Sequence, residues 1–348
     1  MITIKDLEVD LGDFVLRNVN LEIERGEYFI ILGPTGAGKT VLLEAIAGLY
    51  PVLGGEIWIE GREVTGLNPE KRRIGIVYQD QVLFPHLSVE KNIAFGLKAM
   101  GCPKQEIKPR VDSIAQVLDI AHLLRRSPRT LSGGESQKAA LARALVTDPA
   151  VLLLDEPLSA VDPETRERIQ QELSEIHHRL GVTTIHVTHD FEEAIALGRR
   201  VAVLNDGQIM QVGTPEDILR QPNSEFVARF ALSRNIFAGD VSDVSDDYVS
   251  VDIGGVKLMG VTELRGRVHL SLRPEDILIS TEPLRSTARN SLEGTVTDIA
   301  DRGAVMHITV RVPPAFVCLV TRQAFAELGL REGVKVWITF KASAIHLF

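Results

Sequence analysis

The chain has 348 residues, and 38 Lys and Arg against 47 Asp and Glu give it a formal net charge of −9 at pH 7. This length predicts two domains, or three, since one core rarely serves more than about 250–300 residues, and the acidic balance disfavours a broad nucleic-acid surface. The sequence has no apolar run near the roughly 20 residues that span a bilayer, no signal-peptide pattern and only two cysteines, so we expect a cytoplasmic protein without a disulfide framework.

The first 230 or so residues alternate strand-like apolar runs with amphipathic helical stretches, which predicts an α/β domain with a largely parallel sheet. Two half-exposed strands are predicted at 2–9 and 18–23, and strands covered on both faces at 28–32, 74–78, 151–154 and 183–187. Residues 86–145 are mostly helical in pattern, which predicts an inserted helical subdomain.

The pattern changes after residue 235, where short alternating strands are separated by Gly, Asp and Asn turns. These strands are predicted at 249–251, 256–259, 268–272, 295–299, 306–312 and 334–340. Short strands at such close spacing favour a small β-barrel or sandwich. We therefore predict an α/β first domain at 1–232 and an all-β second domain at 235–348.

A complete phosphate-binding loop follows the strand at 28–32 and opens a helical run at 41–48. Its residues are Gly33, Pro34, Thr35, Gly36, Ala37, Gly38, Lys39 and Thr40. The glycines let successive backbone N–H groups turn toward a β-phosphate, and the helix contributes its positive end. Lys39 is expected to reach the β- and γ-phosphate oxygens and Thr40 to hold Mg²⁺. A glycine-rich turn without a ligand is the alternative interpretation.

Two carboxylates end the buried strand at 151–154. Asp155 is predicted to hold the water shell of the metal, and Glu156 lies just beyond it. Two acids at a strand end can also form a solvated turn, but the loop at 33–40 favours the functional interpretation. Together the two motifs predict hydrolysis of a nucleoside triphosphate.

Further motifs resemble those of ABC ATPases. The run Leu131-Ser-Gly-Gly-Glu135 resembles the family signature, Gln79 the Q-loop glutamine, Asp162 the D-loop aspartate and His189 the switch histidine. They stand in family order, and the resemblance covers about residues 1–230. It implies a P-loop NTPase fold of the ABC ATPase type with a helical subdomain, and ATP and Mg²⁺ as cofactors.

The resemblance also implies a head-to-tail homodimer with two ATP molecules at its interface. Each ATP would lie between the loop at 33–40 of one subunit and Ser132, Gly133, Gly134 and Glu135 of the other, so that hydrolysis requires closure. Ser132 and Glu135 also fit a capping box at a helix start, and both roles can hold.

The family implies a role for each remaining site residue. Glu156 would orient and deprotonate the attacking water, and His189 would contact the γ-phosphate. Gln79 would sense Mg²⁺ and water, and Asp162 would link the two sites. Leu11 occupies the region where the family usually stacks an aromatic ring on adenine; Phe14 is the candidate substitute, with aliphatic packing as the alternative.

The segment 79–95 resembles the groove with which importer ATPases grip a helix of the transmembrane permease. We expect Phe84 and Leu87 to form its apolar floor, moved by Gln79; the alternative is that they pack the helical insertion against the core. The resemblance implies a peripheral location on the cytoplasmic face of the cell membrane and an extracellular substrate-binding protein as an indirect partner.

Residues 235–348 resemble the OB-like accessory domains of importer ATPases, of the TOBE type. Segments 287–296 and 341–347 look like the molybdate/tungstate-binding MOP-type domain, where they line an oxyanion pocket between two copies of the fold. Five residues would supply cations and hydroxyl donors for a tetrahedral dianion: Thr287, Arg289, Thr321, Lys341 and Ser343. An inert dimerisation module is the alternative.

The leading hypothesis is an ABC importer ATPase for molybdate or tungstate, whose second domain senses the imported oxyanion and inhibits transport. Sulfate or thiosulfate, ferric iron, polyamine and sugar importers are rivals within the class. A soluble ABC ATPase acting on nucleic acid or ribosomes would need fused nucleotide domains or long coiled coils, which the sequence lacks. A pure sensor without turnover is disfavoured by Glu156 and His189.

Overall fold

The computed structural model describes residues 1–80, 82–159, 163–231, 234–244 and 248–348, with the backbone alone at 163–164. The chain divides into two compact units, Met1–Pro215 and Glu216–Phe348. This division falls before the predicted limits of 232 and 235, because two short helices after residue 214 join the second unit. His346 there lies 2.9 Å from the carbonyl oxygen of Pro222, and Glu225 faces His269 at 3.6 Å.

Among its described residues, the first unit has ten strands in two sheets. The strands are β1 (Ile2–Asp10), β2 (Val15–Ile23), β3 (Tyr28–Leu32), β4 (Gly54–Ile59), β5 (Arg62–Glu63), β6 (Ile74–Val77), β7 (Val151–Asp155), β8 (Thr183–Thr188), β9 (Arg200–Asn205) and β10 (Gln208–Gly213). An antiparallel sheet has the order β2-β1-β4-β5, and the second sheet has the order β10-β9-β3-β8-β7-β6 with parallel pairing from β9 to β6. The predicted parallel α/β core is therefore confirmed.

The α-helices that the structure describes beside these sheets are α1 (Lys39–Ala47), α2 (Val89–Ala99), α3 (Lys104–Val117), α4 (Gly133–Leu145), α5 (Pro163–Leu180) and α6 (Phe191–Leu197). Every residue of β3 and β7 is buried, which explains their uninterrupted apolar sequences. Helices α2, α3 and α4 fall in the predicted helical insertion.

Helix α1 is held at both ends. It begins after Gly38 and ends at Gly48, both of which have positive φ angles, of 98° and 84°. The buried guanidinium of Arg72 donates to the carbonyl oxygens of Ala45 and Ile46, each at 2.9 Å, and so satisfies the last turn. These contacts fix the helix that carries Lys39 and Thr40.

The second unit consists mainly of strands. They are β11 (Asn235–Val244), β12 (Val249–Asp252), β13 (Lys257–Gly260), β14 (Arg267–Leu272), β15 (Leu278–Ser280), β16 (Asn290–Asp301), β17 (Val305–Arg311), β18 (Ala315–Thr321), β19 (Lys335–Phe340) and β20 (Ile345–Leu347). Three short helices are α7 (Pro215–Arg220), α8 (Glu225–Phe230) and α9 (Arg322–Glu327). The five-stranded sheets β13-β12-β11-β14-β20 and β15-β19-β16-β17-β18 share one apolar core, which confirms the predicted strand-rich second domain.

Most predicted strands coincide with observed ones, but several observed strands were missed, among them β9, β10, β11 and β18. The observed β16 runs over twelve residues, where only 295–299 was predicted. Its first half pairs with β19, and such long-range pairing leaves no periodic signal in a mixed polar sequence. Among the described helices, none combines the length and apolar character needed to cross a membrane.

Candidate functional site

The candidate site lies at one edge of the parallel sheet. Strands β3, β8 and β7 are neighbours and run in the same direction, so their carboxyl ends meet at that edge. The loop at 33–40 follows β3, Asp155 and Glu156 end β7, and His189 follows β8. Three motifs that are far apart in sequence therefore meet in space.

Backbone geometry shapes the loop at 33–40. Gly36 has a φ angle of 85°, in the left-handed region that glycine tolerates. A Cβ at Gly33 would lie 2.3 Å from the carbonyl oxygen of Leu204, so no side chain fits there. Ala37 donates to the carbonyl oxygen of Pro34 at 3.2 Å and is buried, whereas Thr35 is exposed. The chain thus curls over the start of α1 as the motif predicts.

Lys39 is buried beneath this loop. Its Nζ donates to the carbonyl oxygen of Pro34 at 3.1 Å and lies 3.6 Å from a carboxylate oxygen of Glu156. Burial lowers the pKa of Lys39, while the neighbouring Glu156 and Asp155 carboxylates oppose that shift. The ammonium group therefore sits between the phosphate loop and the candidate base.

Thr40 and Asp155 form a pair of oxygen donors. The Thr40 hydroxyl lies 3.2 Å from each carboxylate oxygen of Asp155. Burial raises the pKa of Asp155, and the hydroxyl hydrogen bond only partly offsets it. A hydroxyl beside a desolvated carboxylate fits Mg²⁺, which takes few protein oxygens and completes its shell with phosphates and water.

Glu156 and His189 also contact each other. Nδ1 of His189 lies 3.1 Å from Oε2 of Glu156, and the imidazole is exposed. Glu156 has a φ angle of 43°, an unusual conformation for a residue with a side chain. Its N–H donates to the carbonyl oxygen of Val187 at 2.9 Å, and the Ser159 hydroxyl donates to its carbonyl oxygen at 2.9 Å. Hydrogen bonds from two directions hold this conformation.

The segment at 131–135 begins α4. The Ser132 hydroxyl accepts from the N–H of Glu135 at 3.3 Å, and the Glu135 carboxylate accepts from the N–H of Ser132 at 2.8 Å. These hydrogen bonds lower the pKa of Glu135, and Arg126 lies 3.8 Å from its carboxylate. The segment is thus a capping box, while Ser132 and Gly133 remain exposed at the helix start.

Two other predicted site residues, Gln79 and Phe14, are not brought into this cluster. Gln79 is exposed, and among the described residues it makes no hydrogen bond to Thr40 or Asp155. Phe14 is half-buried, and its ring lies so close to Gly38 that a Cβ there would be 2.3 Å from it. Asp162 lies outside the described residues. The predicted roles of these residues remain predictions.

An aromatic cluster is present in the segment at 82–95. The rings of Phe84 and Phe95 are 4.6 Å apart, and Phe95 keeps 48% of its surface exposed. The Arg143 guanidinium lies 5.4 Å from the Phe84 ring centre. The buried Asn92 side chain binds both the N–H and the carbonyl of Phe84, at 2.7 and 3.1 Å. Phe84 and Leu87 are half-buried, so they pack inward yet border an exposed apolar surface.

In the second unit the five predicted oxyanion residues are dispersed. Thr287 and Lys341 line a cavity of about 300 Å³ that Glu275 and Asp276 also line, and acidic residues are unfavourable neighbours for a dianion. Ser343 lines a different cavity of about 220 Å³.

The other two predicted oxyanion residues have structural contacts of their own. The Arg289 guanidinium lies 5.3 Å from the Tyr248 ring centre, and the Thr321 hydroxyl accepts from the N–H of Ala324 at the start of α9. A single chain therefore does not bring the five residues together.

Sequence reasoning missed a buried polar row beneath the candidate site. Tyr28, His186 and Glu193 contact one another there, although none belongs to a predicted motif. The available signal was His186 itself, an ionisable residue within the apolar run at 183–187.

Family models match both units of the chain. Residues 16–159 match the model described as ABC transporter, and residues 286–347 match the TOBE domain. The first match spans the loop at 33–40 and the Asp155-Glu156 pair. The second spans all five predicted oxyanion residues.

Three known proteins illustrate the similarity. The chain is 43% identical to the molybdate/tungstate import ATP-binding protein of Pyrococcus horikoshii over 349 residues, with all of both chains covered. It is 40% identical to the spermidine/putrescine import ATP-binding protein of Thermotoga maritima, over 97% of this chain and 93% of that one. A dimeric ATP-binding cassette solved with ADP and Pi is 31% identical with a TM-score of 0.54, over 62% of this chain and 99% of that one.

Proposed function

Since this chain belongs to the ABC transporter family and is an ATP-hydrolysing import subunit, we propose that it powers the uptake of molybdate or tungstate. The observation that carries this substrate assignment is the 43% identity to a molybdate/tungstate import protein across the whole of both chains. A match of that extent includes the second unit, where a substrate-specific feature is expected.

The hydrolysis site of this proposal consists of residues that the fold brings within contact distance. Lys39 would bind the β- and γ-phosphates, and Thr40 and Asp155 would hold Mg²⁺, which supplies charge neutralisation at the phosphates when it is bound. Glu156, 3.1 Å from His189, would orient and deprotonate the attacking water. The left-handed backbone of Glu156 supports this role, because strained conformations cluster at functional sites.

The active form of this proposal is a homodimer. Ser132, Gly133 and Gly134 would present their backbone N–H groups and the start of α4 to the triphosphate held by the partner subunit. The similarity to a dimeric cassette with ADP and Pi supports this arrangement. Gln79 and Asp162 keep their predicted roles in sensing Mg²⁺ and in linking the two sites, and Phe14 remains the candidate for contact with adenine.

The protein would work at the cytoplasmic face of the membrane, bound to a permease. The exposed surface beside Phe84 and Phe95 is the proposed contact for a permease helix, with Val82 adding a side chain that is 61% exposed. Exposed apolar groups at such a position favour an interaction site over a solvated loop. An extracellular substrate-binding protein would deliver the cargo to the permease.

Polyamine import is the second candidate. It is favoured by Glu275 and Asp276, whose carboxylates line the same cavity as Thr287 and Lys341 and suit a cationic ligand better than a dianion. The 40% identity to a spermidine/putrescine import protein points the same way. In the oxyanion proposal the pocket would instead form between two copies of the second unit, and its occupation would slow ATP turnover.

Calorimetric titration of the full chain with molybdate, tungstate, sulfate and spermidine tests the substrate. We expect molybdate and tungstate to bind and to lower ATP turnover, and Lys341→Ala to weaken that binding at least about tenfold. Lys335→Ala is the matched control, because Lys335 is an exposed lysine of the same unit that pairs with Glu293 at 3.1 Å. Binding of spermidine with no heat from either oxyanion would favour the second candidate and overturn the first.

A further inference from the structure

A row of three buried ionisable side chains crosses the core below the hydrolysis site. The Tyr28 hydroxyl, on β3, lies 2.9 Å from Nδ1 of His186, on β8. Nε2 of His186 lies 3.2 Å from Oε2 of Glu193, on α6, which is an ion-pair distance without hydrogen-bond geometry, and within the described part of the chain neither atom has a hydrogen-bond partner. His186 is fully buried and Glu193 is 3% exposed, so water does not replace these contacts.

One arrangement of protons satisfies the whole row. If Nε2 of His186 carries its proton toward Glu193, Nδ1 is free to accept from the Tyr28 hydroxyl. The ionised Glu193 then faces this proton at one end, and Tyr28 donates at the other. The row therefore sets the position of β8 relative to both β3 and α6.

The end of β8 makes hydrogen bonds to two of the motifs that form the hydrolysis site. The carbonyl oxygen of Val187 accepts from the N–H of Glu156 at 2.9 Å, and that of Thr188 accepts from the N–H of Gly33 at 3.4 Å. The Thr188 hydroxyl accepts from the N–H of Asp190 at 3.0 Å, so this hydrogen bond spans His189, the residue between them. A shift of β8 would therefore move His189 and Glu156 together.

The groups around Glu193 favour its charged form. Burial raises the pKa of the Glu193 carboxyl, but the neighbouring His186 and Thr188 side chains and the charge of Arg166 outweigh it, so the pKa is lowered overall. The other charged or ionisable groups nearby are on α5 and at the start of α6. Arg166 pairs with Asp190 at 3.0 Å, and the His177 ring lies 5.1 Å from that of Tyr28.

We propose that Glu193 is a positioning residue for ATP hydrolysis: acting through His186, its carboxylate holds the end of β8 so that His189 and Glu156 stay aligned on the γ-phosphate. This inference rests on the roles proposed above for Glu156 and His189. A buried ionised carboxylate is a poor way to gain stability, because its desolvation offsets most of the attraction to its partner. Such a contact has a large effect when it aligns two catalytic side chains, because a small displacement of either side chain slows the reaction strongly.

Steady-state ATP turnover by the full chain tests the proposal. Glu193→Gln keeps the size of the side chain and removes its charge, and we expect kcat to fall about tenfold while the KM for ATP stays within about twofold. Glu192→Gln is the matched control, because Glu192 is the exposed neighbour on the same helix; it should leave both constants unchanged. An unchanged kcat for Glu193→Gln would overturn the proposal.

A double-variant comparison separates positioning from general destabilisation. In single-turnover assays on a His189→Ala background, Glu193→Gln should slow hydrolysis by less than about twofold further, because the aligned group is already gone. If the double variant is instead slowed by the product of the two single-variant factors, the proposal is contradicted. If Glu193→Gln fails to fold, Tyr28→Phe removes one hydroxyl from the other end of the row and should lower kcat about threefold.

The roles proposed for the hydrolysis site are tested separately by Glu156→Gln. Loss of turnover in Glu156→Gln with a silent Glu193→Gln rejects only the positioning role. Unchanged turnover in Glu156→Gln rejects the roles proposed for the site itself, whatever Glu193→Gln does.

Discussion

The two candidate sites of this molecule differ in how they are assembled. In the first unit, residues from three distant motifs meet within 3.1–3.6 Å of one another, as Lys39 with Glu156 and Glu156 with His189 show. In the second unit, Thr287 and Lys341 line one cavity and Ser343 another. Both sets of residues were proposed from sequence, yet only the first has a core of residues, Lys39, Thr40, Asp155, Glu156 and His189, that converges within a single chain.

The difference lies in the strands that carry the residues. Parallel neighbours bring their carboxyl ends to one edge, so residues placed directly after β3, β7 and β8 must lie together. The second unit is antiparallel, and its strand ends alternate between the two edges of each sheet. A motif after a parallel strand therefore carries positional information that a motif after an antiparallel strand lacks.

Replacing one lysine in each unit would give the largest contrast. Lys39→Ala should lower kcat/KM for ATP by at least about 100-fold, because a buried cation is removed from the phosphate loop. Lys341→Ala should leave ATP turnover without oxyanion within about twofold. The measurement is ATP hydrolysis by the two full-length variants, and comparable losses would remove the functional distinction between the units.

Ser132 allows the helix cap and the dimer contact to be separated. Ser132→Ala removes the cap of α4 and should cost about 1 kcal/mol of unfolding free energy. Ser132→Asp preserves a good cap, so its thermal stability should stay near that of the parent, but its charge would repel the triphosphate of the partner and lower turnover about tenfold or more. Full activity in Ser132→Asp would indicate that the residue serves only as a cap.

The smallest effect is expected on stability and depends on pH. Burial raises the pKa of Asp155, so at pH 8 its ionised form is less favourable in the folded chain than in the unfolded chain. Asp155→Asn should therefore raise the free energy of unfolding at pH 8 without Mg²⁺ or nucleotide. This gain in the free energy of unfolding should shrink as the pH falls through the raised pKa of Asp155 in the folded chain. Below that pKa the parent protein is protonated at Asp155 and is itself stabilised. The difference in unfolding free energy is measured by urea unfolding in a Trp337→Phe background, in which Trp58 reports on the first unit.

The second unit supplies the control for this measurement. Asp301 forms an exposed pair with Arg322 at 2.7 Å, so Asp301→Asn should cost at most about 1 kcal/mol. A Trp58→Phe background reports on that unit. A fall in stability for Asp155→Asn at pH 8 would show that its carboxylate is stabilised in the folded state, contrary to its burial.

Sequence reasoning was most successful where one short motif determines its own geometry. The loop at 33–40 follows β3 as predicted, because glycines, lysine and threonine at fixed spacing suit only one backbone path. The role proposed for Phe14, contact with adenine, stays a prediction; its ring lies against Gly38. The hairpin that carries Phe14 is positioned by β-sheet pairing with distant residues, and this pairing cannot be predicted from the sequence of the hairpin alone.

The buried row of Tyr28, His186 and Glu193 illustrates the same limit. Each residue alone is an ordinary member of a strand or helix, and their contact depends on β8 inserting between β3 and β7. The division between the units likewise follows from packing, since the contact of His346 with Pro222 joins residues more than a hundred positions apart.

The sequence by itself determined the family, the phosphate loop, the paired acids and the α/β and all-β order of the two units. These features depend on local spacing and on hydrophobic periodicity, both of which are visible in the amino-acid sequence. Only the tertiary structure decided which side chains touch: that Glu156 faces both Lys39 and His189, and that the proposed oxyanion residues do not meet within one chain. Such contacts depend on sheet order and register, which arise when distant segments pack together and cannot be inferred from neighbours in sequence.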